Sequence, residues 1–146
     1  MPSQYPWYEI VPEDSDLEQG DIFFGFPSII VERNEEGETE ENTYEADIIV
    51  ITQSCDLQNK DLDVILWCPL YLLEEKVLDL IDSPTEKAII SAKESLRKGE
   101  YIQFFLLNSG NSQGIYLNYH VVDLKNPRST PYEEFDEYRL KHGQRL

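Results

Sequence analysis

The sequence predicts an α+β fold: a small, strongly bent sheet or barrel with two or three helices. Three observations carry that expectation. Short apolar, β-branched runs occur in adjacent pairs, most clearly YEADIIVITQ at 44–53 and LDVILWC at 62–68. Such runs read as strands, and the β-branched centre Ile48–Ile51 suits a strand buried on both faces. Residues 71–98 then change period, with apolar side chains at helical spacing. Finally, 146 residues make one domain, 1–146, long enough to bury its own core.

The elements follow in order. Residues 1–19 form an arm with aromatic anchors at Tyr5, Trp7 and Tyr8. GDIFFGFPSIIVER predicts a strand over 21–26, an interruption at Pro27, and a second strand over 28–33. Proline cannot donate to a ladder, so a bulge or a sheet edge is expected there. NEEGETEEN, 34–42, has no apolar residue and reads as a loop or hairpin tip pushed outward by its own charge. The short link DLQNKD makes 44–53 and 62–68 an antiparallel pair.

Leu73, Val77, Leu80 and Ile81 mark one face of a helix. Ser83-Pro84-Thr85-Glu86 reads as a capping box with proline at the first helical position. It opens a helix to Lys98, which Gly99 stops. Strands over 101–107 and 115–124 follow, joined by NSGNSQG. Thr130-Pro131-Tyr132-Glu133 opens a last helix to about Lys141. The chain stops at HGQRL, where a new strand would be starting, and that reads as the end of a fragment or domain, or else as a frayed native terminus.

Charge is distributed unevenly. The net charge is −17; residues 1–47 hold 14 acids against Arg33 alone, and the remainder holds 15 acids against 11 bases. A surface of this kind repels nucleic acid, whose affinity for proteins comes from cations displacing phosphate counterions. It attracts a protein partner with a basic surface; the alternative is a solvated surface that only keeps the chain in solution. The aromatic residues in the strands lack the interleaved bases of a base-stacking platform. No apolar run reaches the roughly 20 residues of a membrane span. The N-terminus lacks a signal-peptide pattern, and two cysteines make no disulfide framework. A cytoplasmic protein with reduced thiols is expected.

The polar knot Thr52-Gln53-Ser54-Cys55-Asp56 carries the candidate chemistry. A cysteine nucleophile needs a depressed pKa and a base. Cys55 with His120 as base and Asp123 as its orienter is one such set. The alternative is structural, with Thr52 and Ser54 tying the loop backbone and Cys55 inert. Two Cys and two His lack zinc-ligand spacing, and the seven glycines form no phosphate cradle. No metal and no cofactor are expected.

EQGDIFFGFP, 18–27, resembles the opening strand of the MazF/PemK family of toxin ribonucleases, and DIIVITQS, 47–54, is similar to a later strand of theirs. The resemblance implies an SH3-like barrel, with a threonine at that strand end and an arginine beside a proline as the catalytic pair. Thr52 matches the threonine. The arginine has no counterpart: the corresponding loop is NEEGETEEN, and Arg33, the nearest base, lacks the following proline. The chain is also similar in type to MazF-like anti-sigma factors of CRISPR-linked phage defence. That likeness implies a non-catalytic regulator binding a sigma-like factor, under the control of a regulatory protease. The contact elements are then the exposed strand edge near Pro27, the acidic loop 34–42 with Glu35, Glu36, Glu38, Glu40 and Glu41, and the arm with Tyr5, Trp7 and Tyr8. A working ribonuclease using Thr52 and Arg33, and a hydrolase using Cys55, are the rival readings.

Overall fold

Two long strands dominate the first third of the chain. In the computed structural model, which describes residues 8–12, 15–58, 62–112 and 115–141, β1 (Ile22–Arg33) and β2 (Thr39–Val50) form one antiparallel hairpin. Pro27 does not break the strand. The interruption lies just before it, where Phe23 faces Ile48 and Phe26 faces Ala46, three steps on β1 against two on β2. This is a bulge, and Gly25 occupies it at φ +67°, a backbone that a side chain would strain. The Asp47 carboxylate accepts the Gly25 N–H at 3.1 Å. Pro27 is tolerated because β1 ends the sheet, so its missing N–H can face the open edge. At the tip, the Asn34 side-chain oxygen accepts the N–H groups of Glu36 and Glu38 at 3.0 and 2.9 Å.

The rest follows as α1 (Ser54–Gln58), β3 (Val64–Leu72), α2 (Leu73–Leu80), α3 (Glu86–Arg97), β4 (Phe104–Leu107), β5 (Gly110–Ser112), β6 (Ile115–Leu117), β7 (His120–Asp123), β8 (Arg128–Pro131) and α4 (Tyr132–Lys141). The main sheet runs β1-β2-β3-β7-β4, and β8 lies beside β3 next to β7. Every pairing is antiparallel, and β5 and β6 form a separate two-stranded ribbon.

The class is therefore α+β, as expected, with several corrections. The sheet is open: β1 and β4 end it, with no pairing between them among the described residues. Among the described residues there are four helices rather than two or three, because the polar knot itself winds into α1. The expected strand 115–124 is two strands, parted at Asn118-Tyr119, and β8 was not expected at all. The α3 cap is Thr85, whose hydroxyl accepts the Ala88 N–H at 3.2 Å. Pro84 thus precedes the cap instead of opening the helix. At the other end Gly99, φ +71°, closes a Schellman turn in which Glu100 N–H reaches Ser95 O and Gly99 N–H reaches Leu96 O.

Strand alternation sorts the core onto two faces. One face carries Phe23, Phe26, Ile48, Val50 and Trp67, closed by Phe135 of α4 and Leu57 of α1. Phe26 meets Phe135, Trp67 and Tyr138 with ring centroids 4.9, 5.6 and 4.7 Å apart. Farther along the same face, Val121 packs on Leu73 and Val77 of α2 and Ala92 and Leu96 of α3. The opposite face buries Ile22, Cys68, Leu70 and Val122, with Tyr8 of the arm against them. Tyr5 and Trp7 lie outside the described residues.

Candidate functional site: a hairpin arm and the groove beside it

The polar knot is a tie between three chain segments. The Thr52 hydroxyl accepts the Leu66 N–H at 2.8 Å, while Ile51 N–H donates to Leu66 O at 2.9 Å. The Ser54 hydroxyl accepts Gln19 N–H at 2.9 Å. Gly20 N–H and Val50 O, with Val50 N–H and Asp21 O, lock the start of β1 to the end of β2. The buried Asp21 carboxylate accepts Glu18 N–H at 3.0 Å. Gln53 O then accepts from Asp56 and Leu57 to start α1. Cys55 is exposed there, with its thiol 3.7 Å from the Gln53 side-chain oxygen.

The residues that the sequence could assemble on paper stand apart. Arg33 pairs with Thr39 at the hairpin tip, whereas the Thr52 junction lies beyond Ile22 at the other end of β1. Eleven residues of strand span about 36 Å. Arg33 is exposed and makes no ion pair among the described residues. His120 is opposite Leu72, six β3 residues or about 20 Å from the Leu66 junction that leads to Cys55. It is buried, and its Nδ1 lies 2.7 Å from Asn118 O. Asp123 is three residues from His120 and so faces the other way. Its carboxylate accepts Lys125 N–H at 3.1 Å and the Asn126 amide at 2.8 Å, shaping the turn into β8. Cys68, by contrast, is fully buried, and burial, reinforced by Asp123, pushes its thiol pKa up.

What remains open is the hairpin arm. Residues 28–45 hold seven glutamates against Arg33, a net charge of −6. Glu35, Glu36 and Glu38 form the turn. Glu40 and Glu41 belong to β2, with Glu40 directly opposite Glu32. Ile29 and Val31 stand 61% and 62% exposed among these acids.

Beside the arm runs a groove. Two adjoining cavities of about 390 and 430 Å³ share Ser28, Trp67 and Arg128. In the first, Pro27 and Ile29 of the hairpin face β8 and Glu134 of α4; in the second, Tyr44 and its β2 neighbours face Pro69, Leu70 and Tyr71 of β3, with Arg128 at the margin. A third cavity of about 310 Å³ continues between Ile29 and Glu134, Glu137 and Tyr138. Trp67 is fixed in the floor by its indole N–H, which donates to the Thr130 hydroxyl at 2.9 Å. Arg128 is exposed, and its charge opposes the rise that burial, Asp123 and Asp79 impose on the Tyr71 pKa. None of these three cavities is lined by Thr52, Cys55 or His120. Among the described residues, no group of three or more His, Cys, Asp or Glu is placed to hold a metal, and no helix is long and apolar enough to cross a membrane.

Sequence reasoning located the acidic tip but missed Trp67, Arg128 and Thr130 as groove residues. Arg128 and Thr130 lie in RSTP, four residues with no strand pattern, and only their pairing with β3 brings them beside the hairpin. No protein-family model, no curated protein and no solved structure matches the chain.

Proposed function

We propose that this chain is a non-catalytic protein-binding module whose acidic hairpin arm docks a partner with a basic surface. One observation carries the reading: an arm of net charge −6 holds exposed Ile29 and Val31 on the terminal strand of the sheet. A bare apolar edge is normally blunted or covered, and opposite charge would bring a basic partner to it quickly. A regulator of the anti-sigma type in CRISPR-linked phage defence is the specific form that the resemblance to MazF-like proteins suggests. The ribonuclease reading is the weaker one, since its two candidate residues lie about 36 Å apart along the strand and the Thr52 hydroxyl already serves Leu66 N–H.

The test uses this chain as bait in its wild-type form and with Glu35, Glu36, Glu38, Glu40 and Glu41 changed to glutamine. A basic protein should be recovered by the wild type, lost at high salt, and depleted with the glutamine form. Equal recovery with both forms would overturn the role of the arm.

A further inference from the structure

We infer that the open edge of β1 over Pro27–Arg33 is a strand-addition site for an extended partner segment that alternates β-branched and basic residues. The inference rests on the protein-binding reading and specifies its mode.

Backbone alternation comes first. Asn34 N–H donates to Glu38 O at 2.9 Å, and the same register pairs Arg33 with Thr39, Glu32 with Glu40 and so on to Pro27 with Glu45. In an antiparallel pair, hydrogen-bonded and non-hydrogen-bonded residues alternate. From Pro27 to Arg33, beyond the bulge, even-numbered residues therefore bond to β2, and odd-numbered ones turn their polar groups to the open edge. Pro27 falls on an odd position, the one class where its missing N–H costs the ladder nothing. Ile29, Val31 and Arg33 are left presenting N–H donors, and all four odd residues present carbonyls.

The limits of the site follow. The bulge at Gly25 and the missing N–H of Pro27 end the ladder on one side, and the Asn34 turn ends it on the other. A segment of about six residues fits that span at ~3.3 Å per residue. Alternate side chains of such a segment face the cavities between the hairpin and β8, where Glu134 and Glu137 line the wall opposite Ile29. The others face the acidic arm. The first set lies beside the exposed Ile29 and Val31, which favour β-branched cross-strand neighbours, and the second lies beside Glu32, opposite Glu40, which favours lysine or arginine. A second copy of this chain is the poorer occupant, because edge-to-edge pairing would set seven glutamates against seven.

A fluorescent peptide of alternating valine and lysine is the probe. A peptide of identical charge, N-methylated at alternate residues, is the control. Val31→Pro removes one outward N–H at the same parity as Pro27 and leaves the β2 ladder whole. Binding of the plain peptide should fall by roughly tenfold or more in V31P, and by as much when the peptide is methylated. In amide exchange, Ile29, Val31 and Arg33 should gain protection on peptide binding, while Ser28, Ile30 and Glu32 stay as they were. Equal binding of plain and methylated peptides overturns strand addition and leaves acidic docking standing. Absence of binding by either peptide at low salt overturns both.

Discussion

Replacing Thr52 by valine separates a structural threonine from a catalytic one. Valine is nearly isosteric, so packing changes little and the loss is the hydroxyl. That hydroxyl accepts the Leu66 N–H at 2.8 Å in a partly buried junction. Losing it forfeits a net hydrogen bond of about 0.5–1.5 kcal/mol, and a donor left unsatisfied raises the cost to about 1–3 kcal/mol. The other half of the junction survives, since Ile51 N–H still donates to Leu66 O at 2.9 Å. The lower part of the range is therefore expected, about 1–2 kcal/mol. For a chain of this size that lowers Tm by about 3–8 °C. Thr52→Ser keeps the acceptor and should cost less than half as much. Urea and thermal unfolding of the three proteins read both numbers, and incubation with mixed RNAs reads the rival activity. A valine form as stable as wild type would refute the structural account. RNA cleavage by the wild type that vanishes in Thr52→Val at unchanged Tm would make Thr52 catalytic.

Three further outcomes are expected. Changing Glu35, Glu36, Glu38, Glu40 and Glu41 to glutamine should leave Tm unchanged or slightly raised, because Glu40 lies opposite Glu32 and like charges across a pair destabilise it; a clear fall in Tm would contradict this. Alkylation of the native protein should modify the exposed Cys55 at the rate of a free model thiol and spare buried Cys68 until unfolding, as mass spectrometry of the labelled peptides would record. Because burial and Asp123 raise the Cys68 pKa in the folded state, its stabilising effect is whole below about pH 8.5, the unfolded value, and is lost as pH rises through the folded value. Urea unfolding against pH should therefore slope downward above about pH 8.5, with a shallower slope in Cys68→Ala.

Local chemistry was legible in the sequence, and register was not. The Gly99 stop and the buried Leu73 and Val77 of α2 depend on neighbours within a turn or two, and both agree with the structure; the acidic loop expected over 34–42 is shorter, because Thr39–Asn42 belong to β2, and Ile81 lies past the end of α2. Pro27 shows the boundary. A proline in a strand signals an irregularity, but whether the strand breaks or bulges depends on its partner, and β2 continues past it with the bulge displaced to Gly25. The expected strand 44–53 starts earlier for the same reason. Thr39–Thr43 has no apolar pattern and is held extended by β1. β8 is four residues recruited by the free edge of β3. The Cys55, His120 and Asp123 set failed on distances along β3 and β7 that no spacing in the sequence encodes.

The glutamates of the arm bear on two problems at once. An exposed edge with Ile29 and Val31 is a template for any strand, including another copy of itself. Placing acids beside these residues penalises self-pairing, because two copies bring like charge together within the ~8 Å over which salt at physiological strength leaves repulsion unscreened. The edge need not be blocked by this device, since among the described residues no backbone partner takes the outward N–H and C=O groups of Ile29, Val31 and Arg33. Discrimination then rests on the sign of the incoming charge rather than on shape, so a basic segment gains what an acidic one loses. On the proposed reading, the same residues that penalise pairing between two copies select the partner. Neutralising them should both weaken the partner and release self-association. If the two effects separate, with self-association released and partner binding untouched, the acids guard the edge without choosing its occupant.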